Sequence, residues 1–109
     1  MIATQDPALE QVIRLIVARI DPQKIILFGS RARGDLRPDS DIDLLIVEDN
    51  GRTDPIKRLG DLYVDMVFKH FPPVDLLLYA RAEFERWASS RCHVIGRASR
   101  EGIVVYERS

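Results

Sequence analysis

The sequence contains a single cysteine, Cys92, which excludes an intrachain disulfide and a cysteine-rich metal site. No apolar run approaches the roughly 18 residues that a membrane-spanning helix needs. No basic segment leads into an apolar stretch at the N-terminus, so a signal peptide is not expected either. The 16 basic and 17 acidic side chains nearly cancel, and a net charge of -1 gives no whole-molecule attraction to nucleic acid. These absences predict a cytoplasmic domain that binds neither membrane nor nucleic acid directly.

What the sequence does have is the material for one domain over residues 1–109, with 46% hydrophobic residues for a core. Asp6-Pro7 and Asp54-Pro55 are typical helix starts. Apolar residues three or four apart continue the first helix to about Asp21 and the second to about His70, with Tyr63 in the core. Two shorter helices are expected near the C-terminus, around Glu83 to Trp87 and His93 to Arg100.

Short apolar runs that end in turn-forming residues indicate strands. Four are predicted, at Lys24 to Phe28, Asp41 to Val47, Val74 to Tyr79 and Ile103 to Tyr106. Residues 29–40 are expected to form a turn, a short helix and a loop. Because helices alternate with strands, we predict one compact α/β unit with the first three strands in one sheet.

Two aspartates open the second strand. Asp41 and Asp43 leave the same face of the sheet, because alternate side chains of a strand share a face. Like charges side by side at the edge of a core repel each other, whereas a divalent cation turns the repulsion into coordination. Asp75 reaches the same place if the third strand lies beside the second, and three carboxylates can hold two metal ions. The simpler alternative is acids that face solvent at the mouth of a strand.

Gly29 and Ser30 follow the first strand and suit a phosphate. Glycine lets the backbone approach an anion closely. Ser30 is expected at the start of a short helix, where free N–H groups and its own hydroxyl favour phosphate oxygens. Arg31 and Arg33 come next, and the planar guanidinium matches phosphate geometry. Alternatively, these arginines are solvated or paired with acids of the same loop.

Two stretches of the chain carry a family resemblance: Phe28-Gly29-Ser30-Arg31-Ala32-Arg33-Gly34 and Ser40-Asp41-Ile42-Asp43-Leu44-Leu45. Together they resemble the signature of the DNA polymerase β-like nucleotidyltransferase superfamily, with its Gly-Ser pair, ten-residue spacer and Asp-x-Asp. More narrowly, the chain is similar to the minimal nucleotidyltransferase (MNT) antitoxins that accompany HEPN-domain toxins. The resemblance implies a polymerase β-like palm, in which helices flank a mixed β-sheet.

The resemblance also implies roles for individual residues. Two Mg²⁺ ions would be held by three carboxylates: Asp41, Asp43 and Asp75. The triphosphate of ATP would be held by Gly29, Ser30, Arg31 and Arg33. Asp75 would in addition act as, or orient, the base that activates the acceptor hydroxyl.

The reaction that the resemblance implies is attack of a hydroxyl on the α-phosphate of ATP, with release of pyrophosphate. In the antitoxin branch the acceptor is a tyrosine of the HEPN toxin, whose ribonuclease activity AMP silences. The chain has no room for a second domain to hold its acceptor, so we expect a separate partner and a hetero-oligomer. Two alternatives stay open: an antitoxin that only blocks the toxin sterically, and nucleotidyl transfer to a small molecule such as an aminoglycoside.

Overall fold

The structure of the chain, a computed structural model, describes residues 2–34 and 41–108. Within these ranges the helices are α1 (Pro7–Ile20), α2 (Pro55–Phe68), α3 (Arg81–Trp87) and α4 (Val94–Glu101). The strands are β1 (Lys24–Phe28), β2 (Ile42–Glu48), β3 (Val74–Ala80) and β4 (Ile103–Glu107). Apart from the short helix expected within residues 29–40, every predicted helix and strand is present, and the ends lie within two residues of the prediction.

The four strands form one sheet in the order β3-β2-β1-β4. Strand β1 pairs antiparallel with β2 on one side and with β4 on the other. Strand β3 runs parallel to β2, because α2 carries the chain back to the end of the sheet where β2 begins. The predicted mixed α/β sheet is therefore confirmed, and it includes β4 as well as the first three strands.

Helices cover both faces of the sheet. The larger core lies between the sheet and helices α1 and α2, and its fully buried members include Ile13, Ile16, Leu44 and Leu62. Helices α3 and α4 lie over the opposite face, where Leu45 and its neighbours form a smaller cluster. The same alternation that buries Leu45 on this second face also places Asp43 there, two residues earlier in β2.

The ends of α1 follow from its sequence. The Asp6 side chain accepts a hydrogen bond from the Ala8 N–H, which satisfies one of the free donors of the first turn. Asp21 closes the helix in the left-handed region, with φ 49°. No helix in the described part of the chain is long and apolar enough to cross a bilayer.

Helix α2 differs from its prediction in two ways. Asp54 makes no side-chain capping bond, because its own backbone is left-handed with φ 52°. Tyr63 is not a core residue: it is 37% exposed, whereas Leu62 and Met66 are buried and Leu59 packs against the core beside them. The Tyr63 hydroxyl instead accepts a hydrogen bond at 2.9 Å from the Leu76 N–H of the edge strand β3. This hydrogen bond places the Tyr63 hydroxyl at the edge of the sheet and not in the core.

Candidate active site

The sheet register brings two of the three predicted acids together. Asp43 and Asp75 are direct neighbours across the parallel β2–β3 pair, each one residue into its strand. Phe28, the last residue of β1, pairs with Asp43 from the other side. Both strands begin at this end of the sheet, so it carries carboxylates from two strands and the Gly29 turn from a third.

Asp43 experiences an unfavourable environment for its charge. Its pKa is raised above the ordinary value, first by burial and then by the negative charge of Asp75, which lies within hydrogen-bonding reach. The negative charge of Asp41 raises the pKa of Asp43 further, whereas the positive charge of Arg33 lowers it. A hydrogen bond between two carboxyl groups needs a proton on one of them. The structure therefore places Asp43 beside Asp75, with Asp41 and Arg33 near enough to act on it electrostatically.

Gly29 lies directly against this carboxylate. Its φ is 77°, a left-handed conformation that side chains rarely adopt, and a Cβ added here would overlap the Asp43 Oδ2 atom. Glycine is thus required twice, for the backbone turn and for the space beside the acid. The absence of a side chain lets the Asp43 carboxylate lie directly against the turn.

Residues 30–34 form hydrogen-bonded turns, in which the Arg33 N–H donates to the Ser30 carbonyl at 3.1 Å. The short helix expected after Ser30 is absent over these residues, and the rest of the predicted loop, with Ser40, lies outside the described residues. Arg31 and Arg33 have different neighbours. Arg31 Nη1 lies 3.2 Å from Asp6 Oδ2 at the start of α1, whereas Arg33 is exposed beside Asp43.

A cavity of about 240 Å³ adjoins the site on the side of β1 and α4. Phe28, Gly29 and Arg33 form one wall. The other wall comes from α4, with Val94, Arg97, Ala98 and Glu101. No site residue was predicted on α4, because its approach to the end of β1 is a tertiary contact that the local sequence does not indicate.

A larger cavity, of about 460 Å³, lies at the opposite end of the sheet, where Lys24 pairs with Val47. The charged groups around it are already matched: Arg108 bonds to Asp49, Lys24 lies 3.7 Å from Glu107, and Arg81 pairs with Glu85. It has no contact with Gly29 or the clustered acids. We therefore place the candidate site at the smaller cavity despite its size.

The donor set suits Mg²⁺. Burial and the neighbouring carboxylates raise the pKa of Asp43, and a divalent cation would relieve the repulsion between the carboxylates. Oxygen ligands from one or two carboxylates are what Mg²⁺ takes from proteins that bind nucleotide phosphates. Over residues 2–34 and 41–108, no group of three or more His, Cys, Asp or Glu side chains stands ready-made around a metal position. Full coordination would thus include phosphate or water oxygens.

Comparison with known proteins agrees with the fold and the motif. The nucleotidyltransferase domain family model matches residues 9–105, almost the whole chain, and the chain belongs to this family. The resemblance seen in the sequence to the nucleotidyltransferase superfamily is thereby confirmed. No curated protein matches the chain.

Three solved structures share the fold. One is a toxin–antitoxin complex with AMP-PNP, 22% identical, with a TM-score of 0.63 over 92% of this chain and 73% of that one. Another is a double Asp-to-Glu mutant of the toxin–antitoxin MntA–HpeT, 19% identical, with a TM-score of 0.60 and the same two coverages. A protein from Sulfolobus solfataricus described as a nucleotidyltransferase is 22% identical, with a TM-score of 0.53 over 96% of this chain and 91% of its own.

Proposed function

We propose that this protein transfers AMP from ATP to a hydroxyl, preferably of tyrosine, on a partner toxin of the HEPN family, and thereby acts as a cytoplasmic antitoxin. The observation that carries the proposal is the position of Asp43, enclosed by Gly29, Asp75 and Asp41 at one end of the sheet. Membership of the nucleotidyltransferase domain family supports the reaction type. The toxin–antitoxin complexes among the structures of the same fold support the partner.

The residues of the site divide into two groups in this proposal. Two Mg²⁺ ions would be held by Asp41, Asp43 and Asp75. The triphosphate would be held by Gly29, Ser30, Arg31 and Arg33. When bound, the metal ions supply positive charge that neutralises phosphate oxygens and the leaving pyrophosphate. Of the two arginines, Arg33 is better placed, because Arg31 already pairs with Asp6.

The chemical step forms one bond and breaks one. The acceptor oxygen attacks the α-phosphorus of ATP, and the bond from this phosphorus to the bridging oxygen of pyrophosphate breaks. The hydroxyl proton passes to a base, for which Asp75 is suited because its carboxylate is exposed at the sheet end and lies beside Asp43. In this way Asp75 orients and deprotonates the acceptor, while the Gly29 turn holds the phosphates in line.

An exposed apolar stripe on α2 supports a protein acceptor. Ile56, Val64, Val67 and Phe68 are 86%, 55%, 71% and 78% exposed, and their spacing places them on one side of the helix. An apolar surface of this kind, bordered by polar residues, usually marks a site of protein–protein contact. The opposite side of α2 faces the core and α1, so the stripe lies on the side of the helix that is open to a partner.

The stripe ends near the end of the sheet that carries the acids, although α2 covers the face opposite to Asp43. Tyr63, at its border, accepts the hydrogen bond from Leu76, the residue after Asp75. The C-terminal end of α2 leads through a five-residue connection to Val74, where β3 begins. A toxin docked on Val67 and Phe68 would bring its hydroxyl to Asp75 by extending round the edge of the sheet at β3, the strand that carries Asp75.

The proposal is tested by incubating the protein with Mg²⁺, α-labelled ATP and its partner, taken as the product of the adjacent reading frame. Label is expected on a tyrosine of the partner with wild type and is expected to be absent with Asp41→Ala combined with Asp43→Ala. Glu85→Ala, at an exposed position on α3 away from both the acid cluster and the α2 stripe, serves as the control and should label normally. If the double variant protects cells from the toxin as well as wild type does, steric blocking is the mechanism and the proposal is wrong.

A further inference from the structure

The cavity between the end of β1 and helix α4 differs in character from the acid cluster beside it. Its lining includes the aromatic ring of Phe28 and the apolar side chains of Val94 and Ala98. Its charged groups lie on three residues: Arg33, Arg97 and Glu101. A cavity with an apolar wall and a few charged groups is typical of a site for a flat organic group.

The α4 wall of the cavity carries a carboxylate beside its arginine, whereas the other arginine, Arg33, lies at the Gly29 end. Glu101 lines it and is half exposed, with its Oε2 3.6 Å from Arg97 Nε. A carboxylate at this position repels a triphosphate, but it can accept hydrogen bonds from sugar hydroxyls, as acidic residues do in dinucleotide-binding folds. The volume of about 240 Å³ has room for a purine base with its ribose and less than a complete nucleoside triphosphate needs.

We propose that this cavity receives the base and ribose of the nucleotide, with Glu101 accepting hydrogen bonds from the ribose hydroxyls and Arg97 positioning Glu101. The inference rests on the proposed function, because it assumes that Gly29 and the acids bind a nucleoside triphosphate. It adds the C-terminal helix α4 to the site and names the part of the substrate that α4 recognises.

The connection between cavity and acids supports this placement. Gly29 lines the cavity and also lies against the Asp43 carboxylate. Arg33 lines the cavity and acts electrostatically on Asp43. A nucleotide with its base against Phe28 and Val94 would therefore pass its phosphates over Gly29 towards Asp43. The α-phosphate would then lie between the two halves of the site.

Binding of two probes separates a nucleoside cavity from a phosphate cavity. Equilibrium binding of ATP and of inorganic tripolyphosphate, each with Mg²⁺, is measured for wild type, Val94→Trp and Glu101→Gln. Tryptophan at position 94 fills the cavity, so the Kd for ATP should rise about tenfold or more. Glu101→Gln removes the charge-assisted acceptor, and the Kd for ATP should rise about three- to tenfold. The Kd for tripolyphosphate should stay unchanged in both.

Glu85→Gln is the matched control, because Arg81–Glu85 is an exposed i,i+4 pair in the same order as Arg97–Glu101 but at the other end of the sheet. It should bind both probes like wild type. Glu101 is at the surface, so its variant tests the inference even if Val94→Trp fails to fold. Unchanged ATP binding in Glu101→Gln, or an equal loss of tripolyphosphate binding, would overturn the inference.

The outcomes also separate this inference from the proposed function. A wild type that labels its partner, with variants that bind ATP normally, would reject the nucleoside cavity and leave the function standing. Selective loss of ATP binding in the variants, together with a wild type that labels no partner, would support the cavity and reject AMP transfer. A wild type that binds no ATP would contradict both.

Discussion

Gly29 and the Asp43 carboxylate occupy adjoining space, and this contact is testable by substitution. Gly29→Ala should lower the free energy of unfolding for two reasons, its positive φ and overlap with Asp43. Gly51 is the matched control: its φ is 83°, but the space around it is open. Gly51→Ala should therefore cost about 1 kcal/mol from the backbone alone, and Gly29→Ala about 1–3 kcal/mol more, measured by chemical denaturation. Equal costs would show that Asp43 does not occupy this space.

The charge on Asp43 should make the ligand-free protein less stable at neutral pH. Because the pKa is raised in the folded state, the folded protein holds the proton more tightly than the unfolded chain does. The contribution of this group to stability is then present below the unfolded value of 3.8 and is lost as the pH rises through the folded pKa.

Asp43→Asn should accordingly raise the Tm at pH 7 by about 2–4 °C and leave the Tm almost unchanged at pH 3. Added Mg²⁺ should raise the Tm of wild type at pH 7 more than that of the variant, since it relieves the same repulsion. Scanning calorimetry at the two pH values provides the measurement. A variant less stable than wild type at pH 7 without metal would contradict this reading of the site.

At the scale of elements, Asp49 joins segments that are distant in sequence. It follows β2 and accepts hydrogen bonds from Gln23, just before β1, and from Arg108, just after β4, both at 2.6 Å. Arg52 donates to it as well, at 2.9 Å. The Arg108 guanidinium and these other donors hold the pKa of Asp49 well below its usual range. Asp49 thus links the ends of β1, β2 and β4 at the end of the sheet opposite to Asp43 and Asp75.

Asp49→Ala should lower the Tm at neutral pH, because the unpaired donors lose a charged acceptor. A depressed folded pKa means that the stabilisation is present above the unfolded value of 3.8 and is lost as the pH falls through the folded value. The difference in Tm between wild type and variant should therefore shrink steadily from pH 5 towards pH 2. A difference that stays constant over this range would exclude the ionised carboxylate as the cause.

Elements with a local signal were predictable from the sequence, and β1 is present as Lys24–Phe28, as predicted. Helix α2 was misjudged because a helix that is apolar on most sides does not reveal which side faces the core. Tyr63, Ile56 and Val67 match the helical period as well as Leu62 does, and only the position of the sheet separates them. The prediction of a short helix beginning at Ser30 was wrong for residues 30–34, which form turns. The local sequence does not distinguish consecutive turns from the first turn of a helix.

The candidate site likewise contains residues that the sequence could identify and residues whose place depends on tertiary contacts. Gly29, Asp41 and Asp43 could be singled out because their spacing along the chain is fixed, whereas Asp75 depended on which strand neighbours β2. The parallel β2–β3 pair supplies this neighbour. The sequence offered no reason to place Glu101 or the rest of the α4 wall at the site, because the contact joins helix α4 to a turn about 70 residues earlier.

For the whole molecule, the apolar stripe of α2 predicts how the partner binds. Val67→Glu places a charge at the centre of the proposed contact and should reduce co-purification of the partner by about tenfold or more. ATP binding should be unchanged, because the stripe is separate from the Gly29 turn. Ile103→Glu is the control, since it makes the same change at an exposed position of β4. Equal co-purification of the partner with both variants would place the interface elsewhere.

The intact mass of the partner tests the central claim most directly. The partner is purified after incubation with wild-type protein, ATP and Mg²⁺, and its mass is compared with that obtained using the Asp41→Ala, Asp43→Ala double variant. Our account predicts an increase of one or more AMP units with wild type, mapped by fragmentation to a tyrosine, and no increase with the variant. An unmodified partner that is nevertheless bound and neutralised by the wild-type protein would contradict it.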